Sequence, residues 1–412
     1  MSRLLHVYLK DVLAGALEQT QDGTLQFSYD EAYLSANEPA LSVSLPLTPV
    51  AFVGRNVTAF FSGLLPDEGV RERLAKYLGV SQRNAFALLE QVGGDCAGAL
   101  SLHHPGDSPP SPKNDMESLN AAQLKEILTL IKRQPLLAGE DGYRLSLAGA
   151  QDKLAVRFKD EKVCLVKAGG PTTHILKPVL DHVQDSAHNE LFCMRLARLV
   201  GIPAPDVFLH HVEDIPYYII ERYDRMIQKD GTVMRLHQED FCQALAIPPE
   251  TKYEQEGGPS VAHCQEVIQK HTDTPGKHVL GFLDRLIFNY LIGNADAHGK
   301  NFSLLYHREK PSLAPAYDLL STAVYPNLSS KMAMKIGGKY KPEEVYPRHW
   351  HRLVPDTKTA QAAFTKRRQF LAKKTLEQAS QLKGALHSEG HTSPIFDAIL
   401  GIIQERSKRV LD

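Results

Sequence analysis

Tyr290-Leu-Ile-Gly-Asn-Ala-Asp-Ala-His-Gly-Lys-Asn-Phe-Ser-Leu-Leu305, answered by Ala316-Tyr-Asp-Leu-Leu320, is the stretch on which the reading of this chain turns. Asp296 and Asn301 stand in it with the D-x-x-x-x-N spacing by which a phosphotransferase loop carries its base and one metal ligand. A hydroxyl attacking a terminal phosphate needs a carboxylate beside it, and the cations on the leaving phosphates need hard oxygen ligands from Asp and Asn. Asp318, in its Tyr-Asp-Leu setting, would be the second metal carboxylate.

The flanks of this stretch fit a loop. Val279, Leu283, Leu286 and Tyr290 form one helical face, Phe282, Ile287 and Leu291 broaden it, and Gly293 stops it. Phe302, Leu304, Leu305 and Tyr306 read as a short strand, and Leu313 to Tyr317 as another leading into Asp318. A lone D-x-x-x-x-N fits a surface loop with two ordinary acids equally well, so the remaining chain has to decide.

The chain of 412 residues suits two or three domains, and 23% charged with 43% hydrophobic residues marks an ordinary globular composition. A formal net charge of −1 gives no global nucleic-acid signature, so any basic surface must be local. No apolar run of about 18 residues suggests a membrane span. The opening Met-Ser-Arg-Leu-Leu-His leads straight into strand-like alternation, which argues for a cytoplasmic protein. The five cysteines are scattered without a CxxC pair, so neither a zinc site nor a disulfide framework is suggested, and Cys193 reads as a buried thiol.

In the first unit, Leu4 to Leu9 and Val12 to Leu17 predict a hairpin, with Leu25, Phe27 and Tyr29 as a third strand. Leu41, Val43, Leu45 and Leu47 alternate like a fourth, and helices are expected over Val57 to Leu65 and Arg71 to Leu78. The Pro- and Ser-rich stretch from Pro105 to Asp115 reads as an exposed linker, and a helix over Ala121 to Lys132 opens the next unit.

There, Arg144-Leu-Ser-Leu-Ala-Gly-Ala-Gln-Asp-Lys153 is a small-residue loop that lets backbone N–H groups approach phosphates. A hairpin over residues 154 to 166, then Gly169-Gly170, then the strand Thr173-His-Ile-Leu-Lys177 follow, the last ending in a lysine suited to phosphate charge. A helix over Asn189 to Val200 carries Glu190, a candidate partner for that lysine, although a first-turn Glu also simply favours the helix dipole. The strand Ile215 to Ile220 runs into Glu221-Arg-Tyr-Asp-Arg225, a hinge-like segment that offers groups to adenine, or else a strand end with exposed charges.

Phosphate loop, hairpin, lysine strand, helix, hinge, D-x-x-x-x-N loop and metal aspartate follow the order of a protein kinase. The departures are plain: there is no G-x-G-x-x-G, Asn294 and Ala295 replace the His and Arg of H-R-D, and Tyr-Asp-Leu replaces D-F-G.

With those residues in view, the chain resembles the HipA family of bacterial toxin serine/threonine kinases from type II toxin–antitoxin systems. The resemblance is carried by Gly63-Leu-Leu-Pro-Asp67, Ser146-Leu-Ala-Gly-Ala-Gln-Asp-Lys153, Thr173 to Lys177, Glu221 to Arg225, Gln238-Glu-Asp240, Gly257-Gly-Pro259, the Asp296 loop and Tyr346-Pro-Arg-His349. It implies an α+β fold, with an N-terminal mixed α/β subdomain (residues 1–104) and a linker (105–120). A protein-kinase-like two-lobed core would follow, its N-lobe at 121–225 and a mostly helical C-terminal part at 226–412. Asp296 would then be the catalytic base, with Asn301 and Asp318 holding Mg2+. ATP would be met by Ala148, Gly149, Ala150, Gln151, Asp152, Lys153, Lys177, Glu221, Tyr223, His298 and Tyr317. Ser146 would be a site of self-inhibiting autophosphorylation.

The resemblance further implies a HipB helix-turn-helix antitoxin, operator DNA bound through that complex, and an aminoacyl-tRNA synthetase substrate, glutamyl-tRNA synthetase in particular. Lys331, Lys335, Lys339, Lys341 and Arg348 are the residues expected near DNA, whereas Lys366, Arg367, Arg368, Lys373 and Lys374 read as a solvated helix face. Gln238-Glu-Asp240 and Tyr253 to Pro259 are candidates for the substrate cleft. Two other readings stay open: a DNA-bound co-repressor with dispensable kinase activity, and a small-molecule or lipid kinase on the same scaffold.

Overall fold

The computed structural model describes residues 2–36, 38–107, 109, 116–139, 144–166, 170–180, 183–307 and 310–411. Most of the expected linker between Pro105 and Asp115, and Gly169 of the glycine pair, lie outside the described residues. The fold is α+β.

Strands β1 (Arg3–Leu9), β2 (Val12–Gln19) and β3 (Leu25–Tyr29) are followed by helix α1 (Glu31–Ser35), β4 (Phe52–Val53), α2 (Arg55–Gly63), α3 (Glu68–Leu78), α4 (Ala85–Val92) and β5 (Leu100–His103). Then come β6 (Met116–Ser118), α5 (Ala121–Leu130), β7 (Leu154–Lys159), β8 (Lys162–Val166), β9 (His174–Pro178), α6 (Ser186–Val200), β10 (Val207–Val212) and β11 (Ile215–Glu221). The chain continues through β12 (Arg225–Ile227), β13 (Val233–Arg235), β14 (His237–Asp240), α7 (Phe241–Ala244), α8 (Val261–His271) and α9 (Pro275–Ile292). It ends with β15 (Ser303–Tyr306), β16 (Ser312–Leu313), α10 (Pro347–His351), α11 (Lys358–Ser388) and α12 (Ile395–Leu411).

Two compact units result, one of residues 1–178, 210–250 and 303–311 and the other of 179–209, 251–302 and 312–412. The first holds a five-stranded sheet in the order β4-β3-β2-β1-β5 and a six-stranded sheet in the order β10-β11-β9-β7-β8-β6, the unit boundary falling inside β10. The period-two pattern of the first hairpin sets its register: Leu5, Val7 and Leu9 turn to the core and pair across β2, from Arg3 opposite Gln19 to Leu9 opposite Val12. In the second sheet Lys177 of β9 lies opposite Tyr218 of β11, and Leu154 of β7 opposite Leu176.

The second unit is mostly helical. Helix α9 is wrapped by α8, α11 and α12, and Phe282, Leu283, Leu286, Ile287, Tyr290 and Leu291 are all buried, as the sequence periodicity predicts. Gly293 caps α9 with φ +74°, receiving the chain where an L side chain is strained. A Cβ there would lie 2.7 Å from both Ala323 Cβ and Ile402 Cγ2. Gly293→Ala is therefore expected to cost about 2–4 kcal/mol from backbone strain and overpacking together. A urea midpoint equal to that of the parent would contradict this.

Several expected elements differ. The 41–47 alternation is not a strand: Leu41 and Leu45 are buried, but only a Ser42–Leu45 bridge forms. The reason is that the Val43 N–H goes to Glu239 Oε1 at 3.0 Å, and Pro46 and Pro49 lack ladder donors. The strand expected to Tyr317 ends at Leu313, because Pro315 has no N–H and Ala316 N donates to the Pro203 carbonyl at 2.7 Å. Helix α6 begins at Ser186, three residues early, so Glu190 sits beyond the first turn and the dipole explanation for it lapses.

Candidate active site

The catalytic-loop candidates come together in the helical unit. Beyond Gly293, Asn294 Nδ2 donates to Asn289 Oδ1 at 2.8 Å, while Asn294 Oδ1 accepts from the Asp296 N–H at 3.0 Å. The Asp296 carbonyl accepts from His298 N at 2.8 Å and from Asn301 Nδ2 at 3.1 Å. The loop thus turns back on itself, and Asn301, with its amide nitrogen spent on Asp296, presents its carbonyl oxygen elsewhere. Asn301 and Asp318 line one cleft with Asn294, Ala297, Phe302, Ala316, Tyr317 and Leu319.

Asp318 has φ +57°, an uncommon backbone state for a side-chain-bearing residue and one that clusters at ligand-holding positions. Tyr317 donates its hydroxyl to the Lys300 carbonyl at 2.6 Å and so braces the far side of the loop. His298 is buried, with its ring edge-on to Tyr253.

The chemistry of this donor set suits Mg2+ bound with a nucleotide. Among the described residues no group of three or more His, Cys, Asp and Glu side chains is placed to hold a metal ion. Mg2+ does not need one: it takes one or two carboxylates, waters and substrate phosphates, which one aspartate and one asparagine oxygen complement.

The nucleotide-loop candidates lie in the first unit. Ser146 is fully buried; its Oγ donates to the Leu64 carbonyl at 2.8 Å and its N–H to the Asp95 carbonyl at 2.9 Å. Gly149 has φ +111° and bridges in parallel to Pro66, its carbonyl accepting from Asp67 N at 3.1 Å. Lys153 Nζ donates back to the Ala148 carbonyl at 2.6 Å, closing the loop around Ala150. Gln151 donates to the Pro178 carbonyl at 3.0 Å, and Asp152 pairs with Arg73 at 2.5 Å. Lys177 is buried, with Nζ 5.8 Å from the Tyr218 ring centre. Lys177 and Glu190 belong to different units.

The hinge-like segment is only partly what the sequence suggests. Glu221 is exposed at the end of β11, and the Tyr223 hydroxyl donates to Gln238 Oε1. Arg222, Asp224 and Arg225, however, are buried rather than exposed. Arg222 grips Asp224 through two hydrogen bonds at 2.8 and 2.9 Å, and Arg225 reaches Asp95 at 3.0 Å. In Gln238-Glu-Asp240 the two carboxylates are tied into the fold. Glu239 is buried, accepts from Ser42, Tyr306 and Val43, and is pushed up to about 7 by its burial, while Asp240 caps α7 through Gln243 N at 2.9 Å.

On the basic late helix, Arg367 pairs with Asp284, Arg368 is buried over Trp350, and Lys374 donates to the Val200 carbonyl at 3.0 Å, so this face is partly built into the fold. In the other basic region Lys335 meets Glu254, Lys339 meets Glu344, and Arg348 lies over Tyr346.

Sequence reasoning placed Tyr253 only in a candidate substrate-cleft segment and missed it as a neighbour of Asp296. Its hydroxyl donates to Asp296 Oδ1 at 2.6 Å. No local pattern marks it, because the two residues are 43 positions apart.

Two family profiles match this chain: the HipA N-terminal domain over residues 5–103 and the HipA-like C-terminal domain over residues 145–385. The chain belongs to the HipA family. Among its relatives, Y4mE of Sinorhizobium fredii, named as a kinase, is 44% identical over 359 residues and covers 86% of each chain. HipA of Shewanella oneidensis, named a serine/threonine-protein kinase toxin, is 28% identical over 363 residues, 83% of this chain and 80% of its own. A solved structure from Shewanella oneidensis of HipA with HipB and its operator DNA matches with a TM-score of 0.77 at 26% identity, covering 99% of this chain and 96% of that one. The fold is therefore that of the HipA kinases, with the helical C-terminal part expected of them. No helix among the described residues is long and apolar enough to cross a membrane.

Proposed function

We propose that this HipA-family chain is a cytoplasmic toxin that transfers the γ-phosphoryl group of Mg-ATP to a serine or threonine of an aminoacyl-tRNA synthetase, with glutamyl-tRNA synthetase the first to test. The observation that carries the reading is the folding of Asp296, Asn301 and Asp318 into one small cluster at the end of α9. Asp296 takes the proton of the acceptor hydroxyl at its side-chain carboxylate, and Asn301 and Asp318 would hold Mg2+. Bound Mg-ATP supplies the transferable group and the neutralising charge. In the first unit, Lys177 and the loop from Ala148 to Lys153 supply a lysine and backbone N–H groups suited to phosphates, and Glu221 and Tyr223 are assigned to adenine; in the second, His298 and Tyr317 stand with the catalytic loop.

The test is radiolabelled ATP added to a bacterial lysate with the chain or its Asp296→Asn variant, followed by identification of the labelled bands. Label on a synthetase that depends on Asp296 supports the reading; equal labelling in both samples refutes it. A HipB-type antitoxin and operator DNA are the proposed partners, by likeness to the Shewanella oneidensis complex.

Ser146 gives this function its off state. A phosphate would bring about −1.5 to −2 charges to a hydroxyl that is fully buried against the Leu64 carbonyl, which the segment can accommodate only by leaving its seat. Intact-mass spectrometry after incubation with ATP is expected to show one added phosphate in the parent and none in Ser146→Ala or Asp296→Asn. Equal phosphate content in parent and Asp296→Asn would end the idea.

A further inference from the structure

We infer that Tyr253 is a positioning residue for Asp296, pinning one carboxylate oxygen and so fixing the orientation in which the carboxylate meets the acceptor hydroxyl. The inference rests on the proposed role of Asp296 as base. The Tyr253 hydroxyl donates to Asp296 Oδ1 at 2.6 Å, a length typical of an O–H donor on an ionised carboxylate. The terminal torsion of an aspartate is otherwise broad and roughly two-fold. One fixed donor converts that spread into a single orientation.

Tyr253 is itself held as a strut, by bonds to the same loop it braces. On one side, the Lys252 carbonyl accepts from Gly299 N at 3.4 Å. On the other, Glu254 N donates to the Ala333 carbonyl at 3.0 Å, and Ala333 N donates to the Ala295 carbonyl at 2.8 Å. Glu254 Oε2 also accepts from Lys335 N at 2.6 Å. The residues flanking Tyr253 are thus tied, directly or through Ala333, to the residues flanking Asp296.

The Tyr253 ring stands edge-on to His298 at 5.3 Å and 86°. The turn behind it closes when Gly258 N donates to the Tyr253 carbonyl at 2.8 Å, and Gly258 has no room for a side chain, since a Cβ would meet Thr251 O at 2.5 Å. A residue anchored at its backbone on both sides, at its ring and at its hydroxyl is fixed in place. It sets the base rather than swinging away from it.

The strut acts on the chemical step and leaves nucleotide binding to other residues. Its removal should therefore separate kcat from the KM for ATP. The experiment measures transfer of label from γ-labelled ATP to total protein of a bacterial lysate by the parent, Tyr253→Phe, Tyr253→Leu and Asp296→Asn, with a thermal melt of each.

Tyr253→Phe, which deletes only the hydroxyl, is expected to lower kcat by about 10- to 100-fold, the scale of a misplaced reacting group, with the KM for ATP and the melting temperature unchanged. Tyr253→Leu should fall close to Tyr253→Phe. If Tyr253→Phe keeps the parental kcat while Asp296→Asn is inactive, the positioning role is overturned and the base assignment stands. If Tyr253→Phe loses activity only together with ATP affinity or melting temperature, Tyr253 is merely structural and the inference fails. If the parent transfers no label, or Asp296→Asn transfers as much as the parent, the proposed function fails and takes this inference with it.

Discussion

Asp296→Asn is expected to lower the rate of phosphoryl transfer by about 10²–10⁴-fold, the usual worth of a positioned general base, while leaving the fold intact. The substitution is nearly isosteric. Its amide oxygen can still accept from the Tyr253 hydroxyl, which donates to Oδ1. The backbone contacts that shape the loop, from Asp296 N to Asn294 Oδ1 and from Asn301 Nδ2 to the Asp296 carbonyl, involve no carboxylate and should survive. What is lost is the oxygen able to take a proton. Binding of a fluorescent ATP analogue should therefore be retained while transfer of label fails. A variant that transfers at the parental rate would strip Asp296 of its role, and one that loses nucleotide binding would place Asp296 among the groups that hold ATP.

The parts of this site that were legible in the sequence are those set by local rules. Gly293 stops α9 because only glycine accepts φ +74° without cost, and a polar run after such a stop has to be a loop. The Asp296 to Asn301 interval could be read because one loop makes both ends of that contact. The β1–β2 hairpin and α9 were legible for the same reason, each following a single period of hydrophobicity.

Distance along the chain hid the rest. Tyr253 braces a residue 43 positions away, and its polar, glycine-rich segment to Pro259 suggested a cleft but not that contact. The alternation of Leu41, Val43, Leu45 and Leu47 was misleading because a buried carboxylate nearly two hundred residues later, Glu239, takes the Val43 N–H that a neighbouring strand would have used. Glu221 to Arg225 looked like a charged strand end because its partners come from the segment around Asp95, 130 residues before Arg225. Charge in a sequence does not say whether it meets water or another charge.

That last cluster carries the largest stability effect expected here. Asp95 is 1% exposed and has three guanidinium groups around it, Arg225 at 3.0 Å, Arg235 at 3.6 Å and Arg222 at 3.8 Å, with Asp224 answering Arg222 and Arg225. The Gly98 N–H, donating to Asp224 Oδ2 at 2.7 Å, and the Arg225 bond to the Gly98 carbonyl at 2.8 Å fasten the hinge-like segment to the turn after Asp95. Burial alone would push the Asp95 carboxyl up, but Arg235, Arg225 and Arg222 outweigh it and hold it below its ordinary value.

Asp95→Ala leaves one buried carboxylate, Asp224, against the same arginines. Stranding buried charge in this way costs about 3–5 kcal/mol, far more than the pair's net gain over a hydrophobic replacement. For a unit of this size the melting temperature should fall by roughly 10 °C. The matching control is Lys270→Ala, which breaks the exposed Lys270–Glu266 pair and should leave the melting temperature essentially at the parental value. Because the native carboxyl of Asp95 is depressed, its contribution is fully present above about pH 4, the ordinary value for an unfolded aspartate, and is lost as the pH falls toward the lower native value. The melting difference between parent and Asp95→Ala should accordingly be constant at neutral pH and narrow only in acid. Equal melting temperatures at pH 7 would show that the arginines find water or other partners when Asp95 is gone, and that the cluster does not hold this segment in place.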